Sequence, residues 1–296
     1  MQTILNGCGL NEYKICDVAA GNDDQIHILL AETVPEREQG MFVPSVSNTH
    51  YQAVSLTVDW QDGSFVGYEK TDFGVLMPNF HFIQKLHDGF LLLGARSRYN
   101  NGSPDQNAWI TDRYGTITGR YCFGDGICQC LVDSQNRIIT SYFDEGVFGN
   151  HGWNSPIGSG GLILWSTEGE CLWKNREYDI CDCYAINLDR QDRLWFYYYT
   201  EFMLVCTDYQ RDIKYRPGIS GSGAFLVHPK GQQIIFDAGY SKHGTYVSKQ
   251  IQGSSIRKGE DAVFVYNGVT VSGRAFFREA KALFLDEKMN LYYGEW

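Results

Sequence analysis

The sequence predicts an all-β chain, a six-bladed β-propeller of four-stranded antiparallel blades, and three observations carry the prediction. Helical periodicity is scarce, and no window holds an apolar stripe at i, i+3, i+4 and i+7. A two-strand phrase, an apolar strand, a polar turn and a second apolar or aromatic strand, recurs along the chain. Its copies are spaced near the 40 to 50 residues of repeats built from four-stranded units.

The clearest copies are CQCLVDSQNRIITSYF (Cys128 to Phe143), YAINLDRQDRLWFYYY (Tyr184 to Tyr199), AFLVHPKGQQIIFDAG (Ala224 to Gly239) and KALFLDEKMNLYYGEW (Lys281 to Trp296). In each, a turn residue, Asp133, Asp189, Pro229 or Asp286, stands five positions before an apolar residue, Ile138, Leu194, Ile234 or Leu291. Looser copies are FHFIQKLHDGFLLLGA (Phe80 to Ala95) and CDVAAGNDDQIHILLA (Cys16 to Ala31), which makes six. Second hairpins alternate with them: Ala53 to Glu69, Ala108 to Phe123, Gly161 to Asn175, Phe202 to Arg216 and Ala262 to Phe277. Two hairpins make one four-stranded blade. The turn residues lie 56, 40 and 57 positions apart, and a length of 296 residues accommodates six such units, with five and seven as neighbouring counts.

A sixth outer hairpin is missing, and Thr3 to Ile15 is its donor: the N-terminal segment closes the ring and removes an open edge. The whole chain, 1–296, then reads as a single propeller domain. Composition agrees, since 32 glycines, 15% aromatic residues and only seven prolines suit short strands and tight turns without a long linker.

A net charge of −10 argues against nucleic acid or an anionic membrane as partner, both of which need a basic face. No apolar run reaches the length of a membrane span, and the N-terminus lacks the form of a signal peptide. Nine cysteines in a chain this size read as the reduced thiols of a soluble cytoplasmic protein. The pairs Cys128/Cys130 and Cys181/Cys183 share strand faces and read as small core side chains rather than a zinc knuckle.

The segments GDGICQCLVDSQNRIITSYFDEGVFGN, GWNSPIGSGGL and DCYAINLDRQDRLWFYYYTEF resemble an uncharacterised family of bacterial β-propeller-like proteins. The resemblance spans roughly Gly124 to Phe202, a third of the chain. It implies the fold and brings no activity or catalytic residue with it.

In a propeller, the start of each innermost strand and the loop after each second strand lie on one face, so the repeat sorts residues by face. Asp133, Asp189 and Asp286 fall in the opposite turns, where Asp caps backbone N–H groups. The strand starts hold Asp125, Asp182, Arg278 and Glu279, with Asp17 and His81 at looser equivalents. The loops hold Arg96, Arg98, Glu201, Lys242, His243 and the stretch DEGVFGNHGW, which carries Asp144, Glu145, Asn150, His151 and Trp153 within ten residues. Carboxylates beside an imidazole suit general acid or base work, so Asp144, Glu145, His151 and Asp182 are the catalytic candidates. Arg96, Arg98, Asp125, Asn150, Trp153, Glu201, His243, Arg278 and Glu279 are the ligand-binding candidates, arginine forks being suited to an anionic molecule. The aromatic run Trp195 to Tyr199 reads as packing between blades.

Two functional classes follow. The first is a propeller that binds, and hydrolyses or eliminates, a small polar or anionic molecule. No metal is fixed by a motif, but Glu145, Asn150, Asp182 and Glu279 offer the hard oxygen ligands that a divalent cation such as calcium takes, by analogy with six-bladed lactonases. The second is a non-catalytic module that docks a protein or peptide. The residues leave the choice, and catalysis itself, open.

Overall fold

The structure, a computed structural model, describes Gly7, residues 9–44 and residues 46–296. Its strands gather into two compact units: an N-terminal unit of residues 12–58 and 65–182, and a C-terminal unit of residues 183–296 with 59–64 and the described part of the first eleven residues.

The N-terminal unit holds three sheets. The first contains β1 (Lys14–Ala20) and β2 (Ile26–Ala31); after a short ribbon, β3 (Arg37–Glu38) with β4 (Met41–Phe42), it continues with β5 (Val46–Val58) and β6 (Phe65–Pro78). The second contains β7 (Phe82–Leu86) and β8 (Gly89–Leu93), then a ribbon of β9 (Tyr99–Asn100) and β10 (Ser103–Pro104), then β11 (Ala108–Thr111) and β12 (Ile117–Tyr121). The third runs β13 (Ile127–Val132), β14 (Ile138–Tyr142), β15 (Leu162–Trp165) and β16 (Cys171–Lys174), with a five-residue helix α1 (Asp144–Phe148) following β14.

The C-terminal unit begins with β17 (Asp182–Leu188), whose first residue belongs to the N-terminal unit, followed by β18 (Leu194–Tyr199), β19 (Met203–Thr207) and β20 (Asp212–Tyr215). The fifth sheet is β21 (Phe225–Val227), β22 (Gln233–Asp237), β23 (Tyr246–Gln252) and β24 (Ser255–Ala262). A ribbon of β25 (Val265–Tyr266) and β26 (Val269–Thr270) precedes the sixth, β27 (Arg274–Arg278), β28 (Lys281–Leu285) and β29 (Leu291–Glu295). The six antiparallel sheets are the blades of a six-bladed β-propeller; among the described residues five have four strands and the sixth has three. Of the expected closing segment, Thr3 to Ile15, residues 3–6 and Cys8 lie outside those described, and Lys14 and Ile15 belong instead to β1 of the first sheet.

The turns explain why the repeat is so regular. The Asp133 carboxylate accepts the backbone N–H groups of Gln135 and Arg137 and pairs with the Arg137 side chain at 2.6 Å. Asp189 repeats this with Gln191, Arg193 and the Arg193 side chain, and Asp286 with Lys288 and Asn290. One carboxylate, buried at Asp133 and Asp189, thus satisfies the donors that a tight turn leaves unpaired. Packing follows from strand alternation. Ile127, Tyr142 and Trp165 of the third sheet, with Phe123 from the segment before it, meet Leu91, Leu93 and Ile110 of the second, and Trp195 and Tyr197 of the fourth meet Phe225 and Phe236 of the fifth. Trp195 through Tyr198 are buried, as expected of packing residues, and only Tyr199 is exposed.

The last blade departs from the expected partition. Ala262 to Phe277 is not one hairpin: the outer pair of the fifth sheet is β23 with β24, and β27 pairs directly with β28. Lys281 to Leu285 is therefore a middle strand rather than a first strand. The Asp286 turn has the same capping geometry as Asp133, which is why its position alone suggests the wrong register.

Candidate functional site

Three segments of the N-terminal unit bring charged side chains together. Arg96 follows β8, Asp125 precedes β13, and Glu145 lies in α1, directly after β14. These are the start of a first strand and the exits of two second strands, the positions that the repeat assigns to one face. Glycine makes the approach possible. Gly126 has φ +73°, and a Cβ on it would stand 2.3 Å from the Gly146 nitrogen; one on Gly146 would stand 2.5 Å from the Asp125 carbonyl oxygen. Only with both side chains absent does α1 sit directly over the start of β13.

Arg96 is the centre of the cluster. One terminal nitrogen donates to Asp125 Oδ2 at 2.8 Å, the other to Glu145 Oε2 at 2.5 Å, and its guanidinium lies 5.2 Å from the Phe143 ring centroid. The Arg96 and Asp125 side chains are almost wholly buried, whereas Glu145 is about a third exposed, at 37%. Asp125 Oδ1 accepts the Ser97 N–H at 2.8 Å. His151 completes the group: one donor atom each from Asp125, Glu145 and His151 lies within 4.8 Å of the others.

The remaining loop is held by packing. Trp153 is buried, donates to the Ser97 carbonyl at 2.7 Å and tilts against Tyr99, with ring centroids 4.9 Å apart. Tyr99 N–H donates to the His151 carbonyl, and Gly152 touches the Tyr99 backbone so closely that a Cβ there would meet the carbonyl oxygen at 2.2 Å. The Asn150 side chain accepts the His151 N–H, shaping its own turn. Phe148 is exposed and does not pack the loop down.

Electrostatics sets the protonation states. Burial pushes the Asp125 carboxyl up to about 6, outweighing the pull of Arg96 and of its backbone hydrogen bonds. Burial and then the Arg96 charge press His151 below the ordinary imidazole value. Asp182, at the start of β17, is raised to about 7 by burial and by the nearby Asp144 charge, and its Oδ1 is buried without a partner. Asp144 is exposed at the first turn of α1, where its carboxylate accepts the Glu145 N–H.

Other candidates are placed elsewhere. Arg278 ends β27 and Glu279 lies in the turn before β28, not at the start of a first strand. The Glu279 backbone exchanges hydrogen bonds with the Asn187 side chain, near the end of β17, while Asp182 begins that strand. His243 pairs with Asp237 at 2.5 Å, and Glu201 accepts the Tyr198 hydroxyl at 3.1 Å; both contacts are local to the C-terminal unit. Arg98 donates to the Pro44 carbonyl oxygen and is otherwise exposed.

A calcium-like ion does not fit the cluster. Arg96 already contacts both carboxylates, and the third donor is an imidazole, whereas calcium takes six to eight oxygens. Neither Asp182 nor Glu279 joins this donor set. Among the described residues no cysteine belongs to a cluster of metal-ligand geometry, and the eight described cysteines are free thiols.

Sequence reasoning reached Arg96, Asp125, Glu145 and His151 but passed over Asp105, Trp109 and Arg120. These three join Arg96, Arg98 and His81 around a neighbouring cavity of about 470 Å³. Nothing in the repeat marks them, because the cavity is walled by the ends of different strands.

No known family model matches the chain, and no curated protein matches it. Solved structures do. The chain is similar to one in the mitotic checkpoint complex, with a TM-score of 0.51, 8% identity, and 94% of this chain and 88% of that chain covered. It is also similar to a putative 6-phosphogluconolactonase from Bacteroides uniformis (TM-score 0.48, 8% identity, 94% and 80% covered). A third is a catalytically inactive virginiamycin B lyase from Staphylococcus aureus (TM-score 0.46, 8% identity, 95% and 94% covered). At such identities the likeness concerns the propeller fold alone, and the resemblance of Gly124 to Phe202 extends no further than that fold. No helix among the described residues is long and apolar enough to cross a membrane.

Proposed function

We propose that the chain is a small-molecule-binding propeller that holds a polar ligand at the Arg96, Asp125, Glu145 and His151 cluster and exchanges protons with it. The observation that supports this reading is the convergence of two carboxylates and an imidazole, within 4.8 Å, on a buried arginine. Burying an arginine and a carboxylate costs several kcal/mol of desolvation that their attraction only partly offsets, so stability alone is a poor reason for the pair. Burial raises the Asp125 carboxyl to about 6, in the weakly acid range where a general acid or base is effective, while burial and the Arg96 charge lower His151 and favour its neutral imidazole. Arg96 supplies a fixed positive charge to an anion that develops beside it. The reaction class that these parts serve is acid–base hydrolysis or elimination on a small polar molecule.

The test is retention of a ligand. The purified full chain is equilibrated with a metabolite extract and resolved by native mass spectrometry. It is expected to keep a small molecule that Glu145→Gln and His151→Ala lose without a drop in melting temperature. Equal retention by all three proteins, or none by the wild type, removes the reading.

The docking alternative rests on β6, where Phe65, Val66, Tyr68, Val75 and Met77 are exposed on an outer strand. Nothing on that strand indicates what covers it, whereas the cluster fixes four polar side chains at defined distances.

A further inference from the structure

The cavity beside Arg96 has its own chemistry, and Asp125, Glu145 and His151 are not among its walls. Its volume, about 470 Å³, is that of a metabolite site. Apolar surface comes from Pro44, Met77, Pro78 and Trp109, and charge from Arg96, Arg98 and Arg120 against the single carboxylate of Asp105. Arg120 lies over the Trp109 ring at 4.0 Å and Arg98 donates to a backbone carbonyl, so among the described residues neither guanidinium has an ion-pair partner.

Two buried donors on these walls also lack acceptors. His81 Nδ1 accepts the Ala95 N–H at 3.0 Å, which leaves the imidazole proton on Nε2. Burial, with the charges of Arg37 and Arg96, presses the His81 pKa to about 3, so the ring is neutral and Nε2 is a donor at any physiological pH. That N–H and the Nε–H of Arg96 are both buried without a partner. Phe42, from the β3–β4 ribbon, lies edge-to-face on the His81 ring at 4.5 Å and is the side chain that covers it. Buried donors left unpaired are costly, and their natural complement is an acceptor-rich group.

We propose that this cavity binds a small organic oxyanion, a carboxylate or phosphate ester, gripped by Arg98 and Arg120, with its apolar part against Trp109 and its oxygens toward the His81 and Arg96 wall. The site goes beyond the proton-exchanging cluster and shares only Arg96 with it. Guanidinium forks match both oxyanion types in two-point contact, and the Trp109 face keeps Arg120 oriented.

Isothermal titration calorimetry on the full chain tests it, with citrate, glucose 6-phosphate and inorganic phosphate as probes and glucose as the uncharged control. At least one organic anion is expected to bind at one site, more weakly as sodium chloride is raised, while glucose does not bind. Which anion binds separates the carboxylate from the phosphate source. Binding to inorganic phosphate as tight as to the organic anions overturns the organic part of the assignment. Arg98→Ala and Arg120→Ala, both at exposed positions, should each weaken binding about tenfold or more with melting temperature unchanged. Retained binding in His151→Ala separates this cavity from the cluster; equal loss in all three variants overturns it as a distinct site. Failure of all three anions to bind, or wild-type affinity in both arginine variants, overturns the proposal.

Discussion

Arg96 ties two segments of the N-terminal unit together, because its two terminal nitrogens hold one carboxylate from the residues before β13 and one from α1. Arg96→Met leaves Asp125 buried beside Glu145 with no counter-charge. Breaking a buried pair from one side typically costs about 3–5 kcal/mol, and proton uptake by Asp125 keeps the loss near about 3. Urea denaturation at pH 7.5 should show that loss, and a change below about 1 kcal/mol would mean that the pair is idle. Asp182 gives a pH prediction of definite sign. Its folded pKa, about 7, lies above the ordinary carboxylate value, so the folded state prefers the protonated form. The stability it contributes is complete below the unfolded value of about 4 and is lost as pH rises through 7. Thermal melts from pH 4 to pH 8 should therefore show a declining contribution that Asp182→Asn flattens, making the variant the more stable protein at pH 8. An unaltered slope in the variant would place the titrating group elsewhere.

At the scale of elements, the site depends on how closely α1 rests on the start of β13. Gly126→Ala places a methyl group 2.3 Å from the Gly146 nitrogen at a φ of +73°, so the helix must move away from β13 and carry Glu145 from Arg96. The expected cost is about 2 kcal/mol, from strain at a left-handed position together with the clash. Ala at Gly218, which also has positive φ but open space around its Cβ, should cost less in the same urea melts. An equal cost at both positions would leave backbone conformation, not the helix contact, as the cause. This contact also shows what was legible in the sequence. Asp125, Glu145 and His151 were readable because the turn caps at Asp133 and Asp189 are local, and counting from them locates strand starts and loops. Helix α1 was not, since five residues containing a glycine carry no helical period. Arg278 and Glu279 were misplaced because the Asp286 cap repeats the local geometry while strand pairing, a long-range property, differs. The oxyanion cavity was invisible for the same reason: His81, Arg96 and Arg120 are distant in sequence and meet only by packing.

For the molecule as a whole, the repeat was legible because three blades share one local device, an aspartate that caps its own turn at Asp133, Asp189 and Asp286, and the other hairpins keep the same strand-turn-strand phrase. The ring's closure is a different kind of claim, since it depends on which strand covers the last edge. Among the described residues β29 pairs with β28 alone, and a sixth sheet left without a further strand would present an edge there. An exposed edge of that kind recruits other chains unless something covers it. Residues 9–11 group with the C-terminal unit, which carries β29, and Leu10 is buried at 3% exposure. Deleting residues 2–11 removes that buried leucine together with most of the segment, Thr3 to Ile15, expected to complete the last blade, and leaves β1 intact. A loss of about 2 kcal/mol in a chain of this size lowers the melting temperature by roughly 5 °C. The truncated protein should also scatter light at protein concentrations where the full chain stays clear, because the uncovered strand pairs between molecules. Scanning calorimetry with parallel light scattering checks both effects. An unchanged melting temperature and clear solutions would show that the sixth blade is complete without the N-terminal segment.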